Sequence, residues 1–403
     1  MANAAQVDAA FPTGAGQSPN RALANALLKD MLTSGGTLRN VATRPSICQS
    51  ENTGNKQCMS RSAHVMSSAT AAIQLVYGNW RVDWPNGETG FGATMTFAAS
   101  IEYPAGTFTQ VTFNAGATSG TAPNLGEVIS NEIPVNIPVG AQFWVRTWTN
   151  STGGIFYSGH APSAVHGEGF EFGATTADKT MGGTVGYSAA GIFTPQAIIG
   201  RSNRPAIWLA GDSRTQGQAD TYTDCAYPDL GILARSVGPT YAYINCGVPA
   251  EKVQSIVTAG FYVRRLSLAK RFCTAVLFAE GINDTAGRTT AQIIADLQTA
   301  WAAFAPLPVF ACTLGPSSTS TDGFATTVNQ TTSADNATRV AVNNFIRFTG
   351  KVAGVFELAD VTESARDSGL WKAPGYTADG IHELQRACLA ISNSRAIELG
   401  RMA

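Results

Sequence analysis

The chain has 403 residues, of which 44% are hydrophobic and 14% charged, and its formal net charge is -1. That length exceeds one ordinary domain, and the apolar fraction supplies a large core, which excludes a disordered chain. The balanced charge provides no basic surface to grip phosphates, so no nucleic-acid partner is expected. No window approaches 18 apolar residues, so no membrane partner is expected either.

The chain opens MANAAQVDAAFPTGAGQSPN, without a basic start or an apolar run. No standard signal peptide is expected, and the expected product is a soluble protein, cytoplasmic or exported and assembled by a non-standard route. Asn20 is a candidate cap for a short helix over RALANALLKDML, with Leu23, Leu27, Leu28 and Leu32 on one stripe and Ser34-Gly35-Gly36 ending it. Residues 1–37 are read as an N-terminal extension with this helix.

Residues 38–203 are rich in Thr, Val, Phe, Tyr, Trp and Gly. AAIQLVYGNWRVDW, TMTFAASIEY, FTQVTFNAG and EIPVNIPVGAQFWVRTW read as strands, with period-2 alternation clearest in Ile133, Val135, Ile137 and Val139. Short strands between Gly, Pro and Asn turns suggest an all-β sandwich, jelly-roll-like, as an accessory domain. Trp80, Trp84, Trp144 and Trp148 fall here; core packing is the favoured reading over stacking on sugar rings. His160 and His166 are six apart, which is no metal-ligand spacing.

From 204 to 403 the pattern becomes strand–helix–strand. AIWLA, TYAYIN, TAVLFAE, PVFACTL and VFELAD are apolar strands alternating with helical stretches, including TTAQIIADLQTAWAAFA, a helix capped by Asp335, and a last helix from about 382 to the end. PSSTSTDGFATTVNQTTSAD reads as a long polar loop. Five such strands predict an α/β fold: a parallel sheet covered by helices on both faces, three layers in all.

In an open parallel sheet, ligands bind beyond the carboxyl ends of the strands. Gly211-Asp212-Ser213 follows the first strand, Asn245-Cys246-Gly247 the second and Gly281-Ile282-Asn283-Asp284 the third. Asp379-Gly380-Ile381-His382 precedes the last helix, so all four segments are expected at one sheet edge. A serine hydroxyl needs a base to take its proton, and an imidazole held by a carboxylate provides one. His382 is the only histidine after residue 204, and Asp379 three residues earlier suits a helical turn or a tight loop. Backbone N–H groups of Ser213 and Gly247, with the Asn283 amide, would form an oxyanion hole. Asp212, Glu280 and Asp284 read as loop braces. Arg214 is divided between contacting substrate and being a solvated charge, and Trp371 between lining the substrate pocket and anchoring its loop; both are carried as candidate substrate-binding residues.

These four segments, in this order, resemble the motif blocks of the SGNH hydrolases, also called GDSL esterases and lipases. Gly-Asp-Ser with Gly217 four residues after the serine resembles the first block, Gly247 the second, Gly281-x-Asn283-Asp284 the third and Asp379-x-x-His382 the fifth. The resemblance implies a flavodoxin-like α/β/α domain, with Ser213 as nucleophile, His382 as base and Asp379 orienting it. It implies Ser213, Gly247 and Asn283 as the oxyanion hole. The preceding β region loosely resembles jelly-roll modules of some carbohydrate esterases. Arg214 departs from the apolar residue many relatives carry there.

The expected activity is serine-esterase hydrolysis of acyl esters through an acyl-enzyme, with O-acetyl groups on a carbohydrate the favoured substrate and no cofactor or metal. Short-chain lipase or thioesterase activity is the nearest alternative. From another class, the alternative is a glycan-binding structural protein of a phage or surface assembly carrying a decayed esterase domain. None of the seven cysteines forms a C-x-x-C pair, which leaves no zinc motif. The pairs Cys48–Cys58 and Cys225–Cys246 are open candidates for bridges.

Overall fold

The computed structural model describes residues 36–223 and 225–403. The helix expected over residues 21–32, and most of the 1–37 extension, lie outside the described residues.

The C-terminal half is built on five parallel strands: β1 (Ala206–Gly211), β2 (Ala242–Gly247), β3 (Ala275–Ala279), β4 (Val309–Cys312) and β5 (Gly354–Phe356). They lie in the order β2-β1-β3-β4-β5. Each strand is a run of apolar residues because both faces are covered. Along β1, Ile207 and Leu209 enter one core with Tyr243, Leu277, Phe310 and, from the helix Gln385–Ser394, Cys388 and Ile391. Trp208 and Ala210 enter the other, with Ile244, Val276 and Phe278, under the helices Val263–Phe272, Thr290–Ala303 and Asn336–Phe348. The chain order reverses at β1, with β2 on one side and β3 on the other, which makes the carboxyl end of β1 the switch point.

Helix ends follow local chemistry. Thr289 caps Thr290–Ala303 with a full capping box to Gln292. Asp335 precedes its helix but makes no side-chain cap; Ser333 and Thr285 take its carboxylate instead. The last helix starts at Gln385 and stops at Ser394, where Arg395 takes a left-handed conformation (φ 56°), so His382 stands on the loop before it.

The N-terminal half contains two antiparallel sheets. One orders Thr37–Asn40, Ala197–Ser202, Ala72–Gly78 and Glu127–Ile129; the other orders Gly169–Gly173, Gln57–Val65, Gln142–Ser151, Met95–Glu102 and Phe108–Gln110. Their inner residues share one core: Ile73, Leu75, Tyr77 and Ile198 from the first, and Phe97, Ile101, Phe143, Val145 and Phe170 from the second. Trp80 is core, as expected. Trp144 and Trp148 lie on the other side of their strand, their ring N–H groups donating to His166 O and Thr176 O at 2.8 Å.

The alternation in Ile133–Val139 persists in burial as far as Ile137, but only Ile133–Pro134 is strand, and Val139 is exposed. Pro134 and Pro138 lack the N–H a ladder needs. All seven cysteines are unpaired thiols, six of them buried. Among the described residues no helix is long and apolar enough to cross a membrane.

The halves are fused along one seam. Val76, Ala197 and Ile199 of the antiparallel part belong to the same core as Trp208 and Ile244. Residues 45–47 run beside the outer edge of β2, with Asn245 N donating to Pro45 O (2.9 Å) and Ile47 N to Asn245 O (3.2 Å).

Candidate active site

The turn after β1 is shaped by close approach. At Gly211 a Cβ would collide with the Thr215 side chain, and at Gly247 a Cβ would lie 2.7 Å from Gln216 Cα and 2.8 Å from Thr215 C. Glycine at both positions lets the four-residue helix Ser213–Gln216 sit directly on the strand ends. Asp212 caps it: its Oδ1 accepts from Arg214 N at 2.9 Å. Gly217, with φ 93°, ends it.

Ser213 Oγ stands 2.9 Å from His382 Nε2, and His382 Nδ1 stands 2.7 Å from Asp379 Oδ2. The other carboxylate oxygen, Oδ1, accepts the backbone N–H groups of Ile381 and His382, each at 2.8 Å. The three-residue spacing is thus a tight turn closed by the aspartate side chain. Burial raises the Asp379 pKa, but the His382 backbone N–H, the imidazole and the Ile381 N–H outweigh it and hold the carboxyl down at about 2. A carboxylate fixed on Nδ1 leaves Nε2 free to accept the serine proton.

The three candidate oxyanion donors surround the same strand ends in different states. Ser213 N–H has no acceptor among the described residues. Gly247 N–H donates to Asn245 Oδ1 (2.8 Å), and Asn283 Nδ2 donates to Glu251 O (2.9 Å), which occupies one of its two N–H groups.

Trp371 takes the loop-anchoring alternative. Arg214 is not the solvated charge of one of its two expected readings: it is buried and engaged by the protein itself. Arg214 is 4% exposed; it pairs with Glu383 (3.2 Å), donates to Pro316 O (2.8 Å) and lies over the Trp371 ring. A long side chain leaving a buried helix can reach a buried partner, which residue type alone does not reveal. Trp371 is fully buried, and its Nε1–H donates to Gly380 O at 2.9 Å. The side chain of Gln330 holds the Trp371 backbone at both N–H (2.8 Å) and C=O (3.0 Å).

Gln330 belongs to a hairpin, Ser318–Ser320 paired with Gln330–Thr332, inside the stretch expected as a plain loop. Ser318 N donates to Gly380 O at 3.1 Å, so the hairpin clamps the Asp379–His382 turn. Asp284 accepts Val253 N at 2.8 Å and so braces the next loop, with burial raising its carboxyl to about 6. Glu280 does not brace by hydrogen bonds, because neither carboxyl oxygen has a partner. Burial first, then Glu251 and Asp212, push it well above the usual carboxylate range.

Two supports were invisible in the sequence. Gln49, from the antiparallel half, donates to Gly247 O at 2.8 Å. Glu251, whose carbonyl holds Asn283, is itself gripped by Arg265 Nη1 at 2.7 and 2.9 Å, and Glu88 of the antiparallel half accepts the Arg265 N–H at 2.9 Å. These are contacts between residues 14 to 198 positions apart, and no local pattern marks them. Among the described residues no cluster of His, Cys, Asp and Glu is arranged to hold a metal.

No family model and no curated protein matches the chain. Among solved structures it is similar to a carbohydrate acetylesterase from Sinorhizobium meliloti, at 15% identity and TM-score 0.35, covering 50% of this chain and 100% of that one. It is similar to a GDSL-like lipase from Bacteroides thetaiotaomicron at 14% and 0.34, covering 49% and 89%. It is also similar to an aryl esterase from M. smegmatis at 16% and 0.35, covering 50% and 100%. Likenesses at this level leave function to be argued from the geometry of the site.

Proposed function

We propose that this chain is a serine-nucleophile ester hydrolase of the SGNH/GDSL type, with Ser213, His382 and Asp379 as its triad and short acyl esters, foremost O-acetyl groups on a carbohydrate, as its substrates. The observation that carries this reading is the continuous hydroxyl–imidazole–carboxylate chain, 2.9 and 2.7 Å in its two links, at the switch point of the parallel sheet.

In this reading His382 Nε2 takes the Ser213 proton as Oγ attacks the ester carbonyl carbon. The oxyanion of the tetrahedral intermediate is met by the Ser213 N–H and the second N–H of Asn283. Gly247 N–H joins them when it turns from Asn245 Oδ1 toward the stronger, charged acceptor. The imidazolium then protonates the leaving alcohol, an acyl-serine remains, and water repeats the sequence in reverse roles. Asp379 stays ionised throughout and fixes the tautomer. A small acyl group suits Ser213, which is only 6% exposed among crowded backbone. The chain is further read as two units, an antiparallel sandwich over 38–203 and the catalytic unit over 204–403.

Hydrolysis of p-nitrophenyl acetate, butyrate and octanoate by the wild type and Ser213→Ala tests the reading. Acetate turnover that falls with chain length and drops by about 10⁴-fold or more in the variant is expected. Preference for octanoate moves the assignment to a lipase or thioesterase. Equal turnover in Ser213→Ala refutes the nucleophile.

A further inference from the structure

A cavity of about 550 Å³, within the size range of small-ligand sites, lies on the seam between the two halves. The antiparallel half contributes Gln49, Trp84 and His160, and the other half contributes Gln216, Gly217 and Val248. Its position ties it to the candidate active site. Gln216 and Gly217 close the turn that begins at Ser213, and Val248 follows Gly247. Gln49 stands between the two, since its Nε2 donates to Gly247 O while its side chain faces the cavity.

The lining has a definite chemical character. No Lys or Arg lines it, so an anion would find no cation. Its two carboxylates are already engaged, Asp83 by Arg81 at 2.9 Å and Asp220 by Arg235 at 2.7 Å. The His160 ring hydrogen-bonds Gln216 O through Nε2, which therefore carries the proton, and burial lowers its pKa to about 4. At neutral pH it is an uncharged imidazole with Nδ1 as acceptor. What remains is the half-buried indole of Trp84 beside the amides of Gln49 and Gln216. Gln49 Oε1 already accepts from Gly159 N and from Gln216 Nε2, each at 3.4 Å, and Gln49 Nε2 donates to Gly247 O. What stays open among the described residues is Gln216 Oε1 and one N–H on each amide, and an acyl chain would leave these unpaired at a cost in free energy. A neutral polyhydroxylated ring matches both features, with its C–H face on the indole and its hydroxyls on amide and imidazole.

We propose that this seam cavity is a subsite for a neutral sugar residue, the alcohol side of the substrate, built jointly by the antiparallel half and the turn that carries Ser213. The proposal rests on the carbohydrate-ester reading above. It gives the antiparallel half a direct part in choosing the substrate.

The test uses the full chain carrying Ser213→Ala, so that binding is read without turnover. Xylohexaose and cellohexaose, each with and without O-acetyl groups, are titrated by calorimetry, with polygalacturonate as the anionic control. At least one neutral oligosaccharide is expected to bind, and adding Trp84→Ala is expected to weaken it about tenfold or more, or ~1.4 kcal/mol. Trp84 also packs on the core, so Ala161→Trp, which fills the cavity from its rim, is the second variant and is expected to abolish binding. Glycan binding that survives both variants overturns the proposal. So does the absence of binding by every neutral oligosaccharide up to about 10 mM, beyond the range of weak sites. Hydrolysis of p-nitrophenyl acetate by the unmutated chain separates the two readings. Hydrolysis without glycan binding overturns the subsite alone. Trp84-dependent glycan binding without hydrolysis overturns the esterase and with it the substrate role of the cavity, leaving it a neutral-sugar site.

Discussion

Gly247→Ala probes a close backbone-to-backbone approach in the site. The added Cβ would fall on Gln216 N and lie 2.7 Å from Gln216 Cα, where ordinary contact begins at 3.4 Å, so strand end and the Ser213–Gln216 turn must separate by more than 3.4 − 2.7 = 0.7 Å. Gly247 is not in the left-handed region, so the whole effect is steric. Overpacking of this kind costs about 1–3 kcal/mol of stability, and a drop in Tm of about 5 °C is expected. The shift falls on the helix that starts at Ser213 and on one proposed oxyanion donor together. Catalytic geometry tolerates about 0.5 Å, and a misplacement near 1 Å costs about 100-fold. The kcat/KM for p-nitrophenyl acetate should therefore fall about 30- to 100-fold, while calorimetry still records a cooperative unfolding transition. A folded Gly247→Ala protein with wild-type kcat/KM would refute the claim that this contact sets the place of Ser213.

Asp379→Asn keeps an acceptor for the two backbone N–H groups but turns an NH2 toward His382 Nδ1, which forces the proton onto Nε2. The kcat should drop by about 10⁴-fold with little change in Tm, and a loss below tenfold would count against the tautomer argument. Arg214→Ala leaves Glu383, 3% exposed, without its cation. It should cost about 3–5 kcal/mol in a denaturant titration, and the double variant Arg214→Met/Glu383→Leu should recover much of that; no recovery would mean that Arg214 acts through something other than the pair. Glu280→Gln tests the raised pKa of this buried carboxyl. A carboxyl whose folded pKa is raised contributes its full stability below the usual value of 4.5, and that contribution declines as pH rises toward the folded value. The Tm of Glu280→Gln relative to wild type should therefore climb as pH rises above 4.5, and a difference independent of pH would show that Glu280 does not titrate as argued.

Much of the C-terminal half is legible because parallel sheets write themselves as apolar runs, and because Asp212, Ser213, Gly247, Asn283, Asp379 and His382 each stand at a strand end or just before a helix. The positions of Arg214 and Trp371 are not legible. Both depend on what a flexible or bulky side chain finds once Pro316, Glu383 and Gly380 have been brought near. The hairpin at 318–332 is hidden by its polar composition, since its job is to hold a turn rather than fill a core. The alternation at 133–139 misleads in the opposite sense: burial alternates, but two prolines forbid the ladder. The roles of Gln49, Glu88 and Glu251 rest on contacts across the seam, which exist only when both halves have folded.

The segment at residues 45–47 lies along the outer edge of β2 and is made by the ribosome about two hundred residues before that strand. When the parallel sheet emerges, the partner for its open edge and the apolar surface for the Trp208 face are already waiting upstream in the same chain. The sheet thus has a built-in escort: at Asn245 the edge N–H and C=O, which could pair with a neighbouring molecule during synthesis, are taken intramolecularly. A fragment beginning near residue 204 would lack that escort, and its tendency would be to associate through β2 rather than to stand alone as a smaller fold.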